Sequence, residues 1–132
     1  MMQIRLPWPP STNELHTPIP SRTGRSRLIS SRRAREFRTQ CMEIIEQAGG
    51  PRQVHGTVAV HMSLHPSTMR PYDLDNRVKA VLDALTKSGV LFDDDWKIIA
   101  ELHVKAGRKA TRKERDQMCN RGFVDVTVEA IQ

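Results

Sequence analysis

An α+β fold is what this sequence predicts: a mixed sheet carrying two helices, with elements in the order β-α-β-α-β-β. Three observations predict it. The chain has 132 residues, a length that suits one domain spanning 1–132 and allows a hydrophobic core without disulfide or metal staples. Two stretches repeat their apolar residues at helical spacing, and four others alternate or run as short strands. The loops between them carry Pro or Gly but none is long enough to be a domain linker, so both helical stripes must bury against the same sheet. Two helices on one face of a mixed or antiparallel sheet is the economical solution.

Residues 2–6 read as a short strand ended by Pro7-Trp8-Pro9-Pro10, because proline removes ladder donors and fixes the chain in extended or turn geometry. Residues 11–29 are polar, contain Pro and Gly, and read as a long loop with room for a short hairpin. Ser31 can cap a helix over about 32 to 48, whose apolar positions Phe37, Cys41, Ile44, Ile45 and Ala48 recur at helical spacing, and Gly49-Gly50-Pro51 stops it. Residues 54–65 alternate, with Val58, Val60, Met62 and Leu64 on one face, as a half-buried strand does. After a loop from Pro66 to Tyr72, a second helix over about 74 to 87 carries an apolar stripe of Leu74, Val78, Val81, Leu82 and Leu85, and Gly89 ends it. Strands follow at 96–105 and 122–131, separated by a basic polar loop at 106–120.

Composition narrows the function. Apolar residues at 38% and charged residues at 27% describe an ordinary globular chain, and no apolar run approaches the roughly 20 residues of a membrane span. Lys and Arg number 21 against 15 Asp and Glu, a net charge of +6, and the pI is near 9.9. That excess points to an anionic partner, most simply nucleic acid. Aromatic residues are only 5%, too few for a broad base-stacking platform. Two cysteines, Cys41 and Cys119, make no disulfide framework, and the N-terminus has no signal-peptide core, so a reduced cytoplasmic protein is expected.

The acids are unevenly placed. Six of the eight Asp residues (Asp73, Asp75, Asp83, Asp93, Asp94, Asp95) fall between positions 73 and 95. Asp73 suits a helix N-cap and Asp75 the first turn, so a well-capped helix is one reading. Three features favour another. Asp73 and Asp75 form a D-x-D pair that can bring two carboxylates to one small volume. Lys79 lies one helical turn beyond Asp75, with Asp83 continuing the row. Asp93-Asp94-Asp95 arrive after a Gly turn, where the chain can return toward the D-x-D. Converging carboxylates repel one another unless a divalent ion neutralises them, and Mg²⁺ prefers such hard oxygen ligands. Mg²⁺ held this way serves phosphoryl displacement, with a neighbouring lysine offsetting transition-state charge. A metal-dependent nuclease is the resulting expectation.

At this point the residues resemble a known family. Leu6-Pro7-Trp8-Pro9-Pro10-Ser11-x-Asn13, then Ser31 with Phe37-Arg38, then Asp73-Leu74-Asp75-Asn76-x-x-Lys79, then Asp83-Ala84-Leu85-Thr86-Lys87-x-Gly89 and the Asp93-Asp94 pair resemble, in order, the RusA-type Holliday-junction resolvases. The resemblance implies a small homodimeric endonuclease that resolves four-way DNA junctions with Mg²⁺, or Mn²⁺ in its place. It assigns the essential acids to Asp73, Asp75 and Asp94 as metal ligands and the essential lysine to Lys79. Asp93 is the neighbour of the assigned acid, and Asp95 lies outside the pattern. One departure is visible. The family can carry a basic run directly before its D-x-D, whereas this chain has Met69-Arg70-Pro71-Tyr72, leaving Arg70 or Arg77 to contact DNA.

The remaining basic residues cluster at 1–40, with eight Arg against two Glu, and at 105–115. Both clusters lie mainly in expected loops, which suits grips on the DNA backbone, and Arg25, Arg27, Arg108 and Lys109 are the candidates. The histidines (His16, His55, His61, His65, His103) are expected to be exposed or in loops, and the four-residue spacing of His61 and His65 on a strand makes no zinc pair. Trp8 and Trp96 are expected to pack, the latter orienting Asp94. Asp83 reads as a carboxylate partner for Lys79 or as part of a solvated helix face. Two rivals stay open at this level: a noncatalytic junction-binding protein whose acids merely cap a helix, and a metal nuclease acting on flaps or simple duplexes.

Overall fold

Four strands make the sheet, in the order β1-β6-β4-β5, with β1 at Met2–Pro7, β4 at Val58–His65, β5 at Ile99–Ala106 and β6 at Phe123–Ala130. This is a computed structural model, which describes residues 1–20, 22, 24, 26–50 and 53–131, and of residues 26 and 27 the backbone alone. β6 runs antiparallel to both β1 and β4, while β4 and β5 are parallel. Parallel neighbours need a crossover, and helix α2 (Val78–Lys87) supplies it. Strands β2 (His16–Pro20) and β3 (Ser26–Ser30) form a separate hairpin within the segment read as a long loop.

Helix α1 (Arg32–Gln47) starts as its sequence requires. The Ser31 hydroxyl oxygen accepts from the Ala34 amide at 3.1 Å, and the chain leaves the helix through left-handed Gly49 and Gly50. Ala34, Phe37, Cys41 and Ile45 of α1 and Ala80, Val81, Ala84 and Leu85 of α2 enter one core cluster with Leu6, Val60, Met62, Leu64, Val124, Val126 and Val128 of the sheet. The alternation of the strands therefore puts one sheet face under both helices. Burial in this core pushes the Cys41 thiol up to about 12, consistent with a packing role. Among the described residues no helix is long and apolar enough to cross a membrane.

Several boundaries differ from expectation for local reasons. β4 begins at Val58 because Gly56 takes φ +81° and breaks the extended run. β5 begins at Ile99, since the Asp95 carboxylate accepts from the amides of Lys97 (2.8 Å) and Ile98 (3.3 Å) and closes a turn there. A short helix α3 (Arg112–Gln117) occupies the expected loop at 106–120. It buries no residue, so it has no apolar stripe to read. Its signal is the Thr111-x-x-Glu114 capping box.

His65 is a further correction. Instead of lying exposed, it is buried at the end of β4, stacked on Phe123 with centroids 4.6 Å apart. Its ring nitrogens meet the Ser63 hydroxyl at 3.0 Å and the Arg108 carbonyl at 2.8 Å. A Cβ on Gly107 would strike this imidazole, and one on Gly122 would strike the His65 carbonyl. These two glycines let the segment carrying α3 close over the sheet.

Candidate active site

The D-x-D pair sits on a turn braced from the N-terminal segment. Asp75–Arg77 form one 3-10 turn that leads into α2. The Asp73 carbonyl accepts the Asn76 amide at 3.2 Å, and its carboxylate accepts the Asn76 side-chain amide at 3.1 Å. Asp73 is therefore not the side-chain cap of α2; the helix proper begins five residues later. The proline-rich segment holds this turn in place. Trp8 packs edge-on against Tyr72 with centroids 5.2 Å apart, and Thr12 donates its hydroxyl to the Asn76 carbonyl at 3.2 Å.

Arg77 is part of the brace. It donates to the Pro9 carbonyl at 2.8 Å, lies over the Trp8 ring, and approaches Glu14 at 3.7 Å. Burial lowers its pKa, with the Glu14 charge acting in the opposite direction. Its guanidinium thus faces inward, away from the phosphate role expected of it. Glu14 is the hub that sequence reasoning missed. Burial works to raise its pKa, but hydrogen bonds from the Ser11 amide and hydroxyl and the charges of Arg33 and Arg77 outweigh it and hold the carboxyl below its ordinary value. Ser11-x-x-Glu14 is itself a capping-box pattern and could have drawn notice.

The second half of the site comes from the loop after α2. Val90 and Leu91 plug into the core, and their amides donate to the Leu85 carbonyl at 3.0 and 3.2 Å, so the chain turns sharply back. The Asp93 carboxylate accepts the Asp94 amide at 2.8 Å and sets the backbone there. Lys79 then bridges the two elements: its Nζ lies 3.2 Å from Asp83 and 3.5 Å from Asp94. The hydrogen bond and charge of Asp83 do most to raise the lysine pKa, burial opposes them, and Asp94 adds a smaller raise, so Lys79 stays a cation.

The structure brings Lys79, Asp83 and Asp94 together. Asp73 and Asp75 stand exposed at the start of the same helical segment, and among the described residues neither makes an ion pair. Among the described residues no three carboxylate, histidine or cysteine side chains are gathered closely enough to enclose a metal. The donor set nevertheless suits Mg²⁺. That ion binds through one or two carboxylates and fills its octahedron with waters and substrate phosphate oxygens, so an all-protein cage is not required.

The other candidates divide. Arg70 is exposed ahead of the D-x-D, and Lys109 is exposed beyond β5. Arg108 is committed to Glu114 through two bonds of 2.6 and 2.9 Å. Arg25 and the side chain of Arg27 lie outside the described residues. Trp96, expected to pack, is 79% exposed. A cavity of about 440 Å³ between β1, α1 and α3 is lined by residues such as Trp8, Phe37 and Arg121, and a larger one of about 700 Å³ lies over β4 and β5; neither is lined by Asp73, Asp75, Asp83 or Asp94. The acids lie instead on open surface, where a long polymer can reach them.

The family model for the RusA endodeoxyribonucleases matches residues 7–117. Relatives named crossover junction endodeoxyribonuclease RusA include those of Escherichia coli K12 and Shigella sonnei, each 34% identical over 109 residues, covering 80% of this chain and 87% of theirs. The protein of that name from Enterobacteria phage 82 is 33% identical over the same coverage. The match spans the proline-rich brace, the D-x-D turn, Lys79 and the Asp93-Asp94 pair. The chain belongs to the RusA family of endodeoxyribonucleases.

Proposed function

We propose that this protein resolves four-way DNA junctions by hydrolysing phosphodiesters in a Mg²⁺-dependent reaction, with Mn²⁺ able to substitute, and that it acts as a homodimer in the cytoplasm. The observation that carries the reading is Lys79 held between Asp83 and Asp94 one helical turn beyond an exposed D-x-D, in a chain of this family. Asp73, Asp75 and Asp94 would hold the metal, which supplies electrophilic activation of the phosphate and a water nucleophile at neutral pH. Lys79, kept charged by its two acids, donates to the phosphoryl oxygens as negative charge grows on them. Asp93 fixes the Asp94 backbone, and Arg77, Trp8 and Thr12 keep the D-x-D turn from shifting.

The helix-cap rival loses its main support, since the Asp73 carboxylate bonds a side chain rather than the amides that open α2. Exposed Arg70 and Lys109 would take backbone phosphates, and affinity would fall steeply with salt. A four-way junction has approximate twofold symmetry and needs paired cuts, which a twofold dimer with two sites would deliver. The test is a labelled four-way junction beside a flap and a linear duplex, each incubated with and without Mg²⁺. Paired, symmetric nicks in the junction alone, and only with metal, are expected. Cleavage of flap or duplex at the same rate, or binding without cleavage, would replace this reading with one of its rivals.

A further inference from the structure

The loop that carries Asp94 also carries two large aromatic rings that face water. Phe92 is 74% exposed and Trp96 is 79% exposed, and they bracket Asp93-Asp94-Asp95. The chain has only six Phe, Trp and Tyr residues. Phe37 and Phe123 are buried, and Trp8 and Tyr72 pack on each other half-buried. The two exposed rings are therefore the exception in this molecule, and both belong to the loop between α2 and β5 beside the candidate site.

Looseness of the loop does not explain their exposure. Val90 and Leu91 anchor its start in the core. The Asp93 carboxylate takes the Asp94 amide, and Asp95 takes the amides of Lys97 and Ile98 on its carboxylate and those of Ile98 and Ile99 on its carbonyl. These bonds hold the frame on which both rings point outward. An exposed ring of this size leaves apolar surface unburied until a partner covers it.

We propose that Phe92 and Trp96 form a stacking site for an unstacked nucleobase at the DNA branch point. The inference rests on the branched-DNA reading given above and specifies how the branch is recognised. Three acids lie between the rings and repel a phosphate backbone there, so stacking is the main attraction this part of the loop offers. Every base has a π-face, but within a paired duplex both faces are already covered; at a branch they are not. Lys97, its ammonium 5.9 Å from the centre of the Trp96 ring, can meet the phosphate of the stacked nucleotide. The site thereby selects structure rather than sequence, and it does so on the loop that positions Asp94.

Affinities of the full chain for a four-way junction and for a duplex of equal length, measured in EDTA by fluorescence anisotropy, test this. Trp96→Ala and Phe92→Ala should each weaken junction binding roughly tenfold, leave duplex binding unchanged, and lower the junction preference accordingly. Trp96→Phe should restore most of the loss. Both rings are exposed, so the variants keep the fold, and thermal melting checks it. An unchanged junction-to-duplex ratio in the alanine variants, with wild type still preferring and cutting junctions, overturns the stacking site alone. A wild type that neither prefers nor cuts junctions overturns the branched-DNA reading and this inference with it. A fall from dimer to monomer in sedimentation of the double alanine variant would assign the rings to a second copy of the chain and overturn it as well.

Discussion

Two clusters of mixed charge in this protein use similar residues to opposite ends. On the sheet face away from α1 and α2, Glu114 accepts two bonds from Arg108, one from Arg5 at 3.1 Å and one from the Thr111 amide at 2.9 Å. Arg5 also binds Asp125 through Nε (2.7 Å) and Nη2 (3.0 Å) and lies 3.8 Å over the Phe123 ring. Its interaction with Asp125 is the main reason its pKa is raised. Every charge in that cluster is answered by an opposite one. At the candidate active site, one lysine serves Asp83 and Asp94 while Asp73 and Asp75 have no ion-pair partner among the described residues. The first arrangement spends its hydrogen-bonding capacity within the chain and fastens α3 to the sheet. The second leaves acidic oxygens on the surface of a protein of net charge +6, where a cation and a polyanion would complete it.

The contrast can be broken by removing one group from each side. Lys79→Ala should lower the junction cleavage rate by about 100- to 1,000-fold, the usual cost of losing one donor to developing negative charge. Junction binding in EDTA should change only a few-fold, because a single exposed lysine adds little to a multi-phosphate contact. Single-turnover cleavage and anisotropy separate the two effects. A variant that loses binding and cleavage equally would make Lys79 a DNA grip.

Glu114→Ala should act in the opposite way. It removes the capping-box partner of Thr111 and leaves Arg108 and Arg5 without their shared acceptor, at a cost of about 1–2 kcal/mol of stability. Urea unfolding should show that loss, while cleavage per folded molecule stays as in wild type. A matching loss of cleavage would merge the two clusters into one functional unit.

The smallest effect is a pH dependence. Hydrogen bonds from Arg108, ahead of those from Thr111, hold the Glu114 carboxyl well below its ordinary value of 4.5. As pH falls below that value, the unfolded chain takes up a proton at this position while the folded chain refuses it. The stability contributed by Glu114 is therefore complete above about pH 4.5 and declines below it. The stability gap between wild type and Glu114→Gln should narrow between pH 5 and the acid limit of folding, by about a few tenths of a kcal/mol at first. A gap that widens on acidification would reverse the sign assigned here.

How much of this was legible in the sequence depends on how local each cause is. The stripe of Phe37, Cys41 and Ile45 and the alternation of Val58 to Leu64 are periodic signals, and they produced the helix and the strand they announce. The relation of Lys79 to Asp83 is one helical turn and could be read directly. Its meeting with Asp94 could not, since it depends on Val90 and Leu91 turning the chain back into the core. Arg77 looked like a DNA contact because charge alone does not show direction, and its partner Pro9 is 68 residues away. His65 was misplaced because its burial depends on glycines at 107 and 122. Trp96 was expected to pack because most tryptophans find a wall, and the turn closed by Asp95 holds this one outward.

The central claim is that the unanswered acids are the seat of catalysis, and Asp75→Asn tests it most directly. The substitution keeps the size of the side chain and removes the charge at an exposed position. With a labelled four-way junction and saturating Mg²⁺, the account predicts paired nicks by wild type and a loss of roughly a hundredfold or more in the variant, with junction binding and melting temperature retained. Cleavage by Asp75→Asn at the wild-type rate would contradict it.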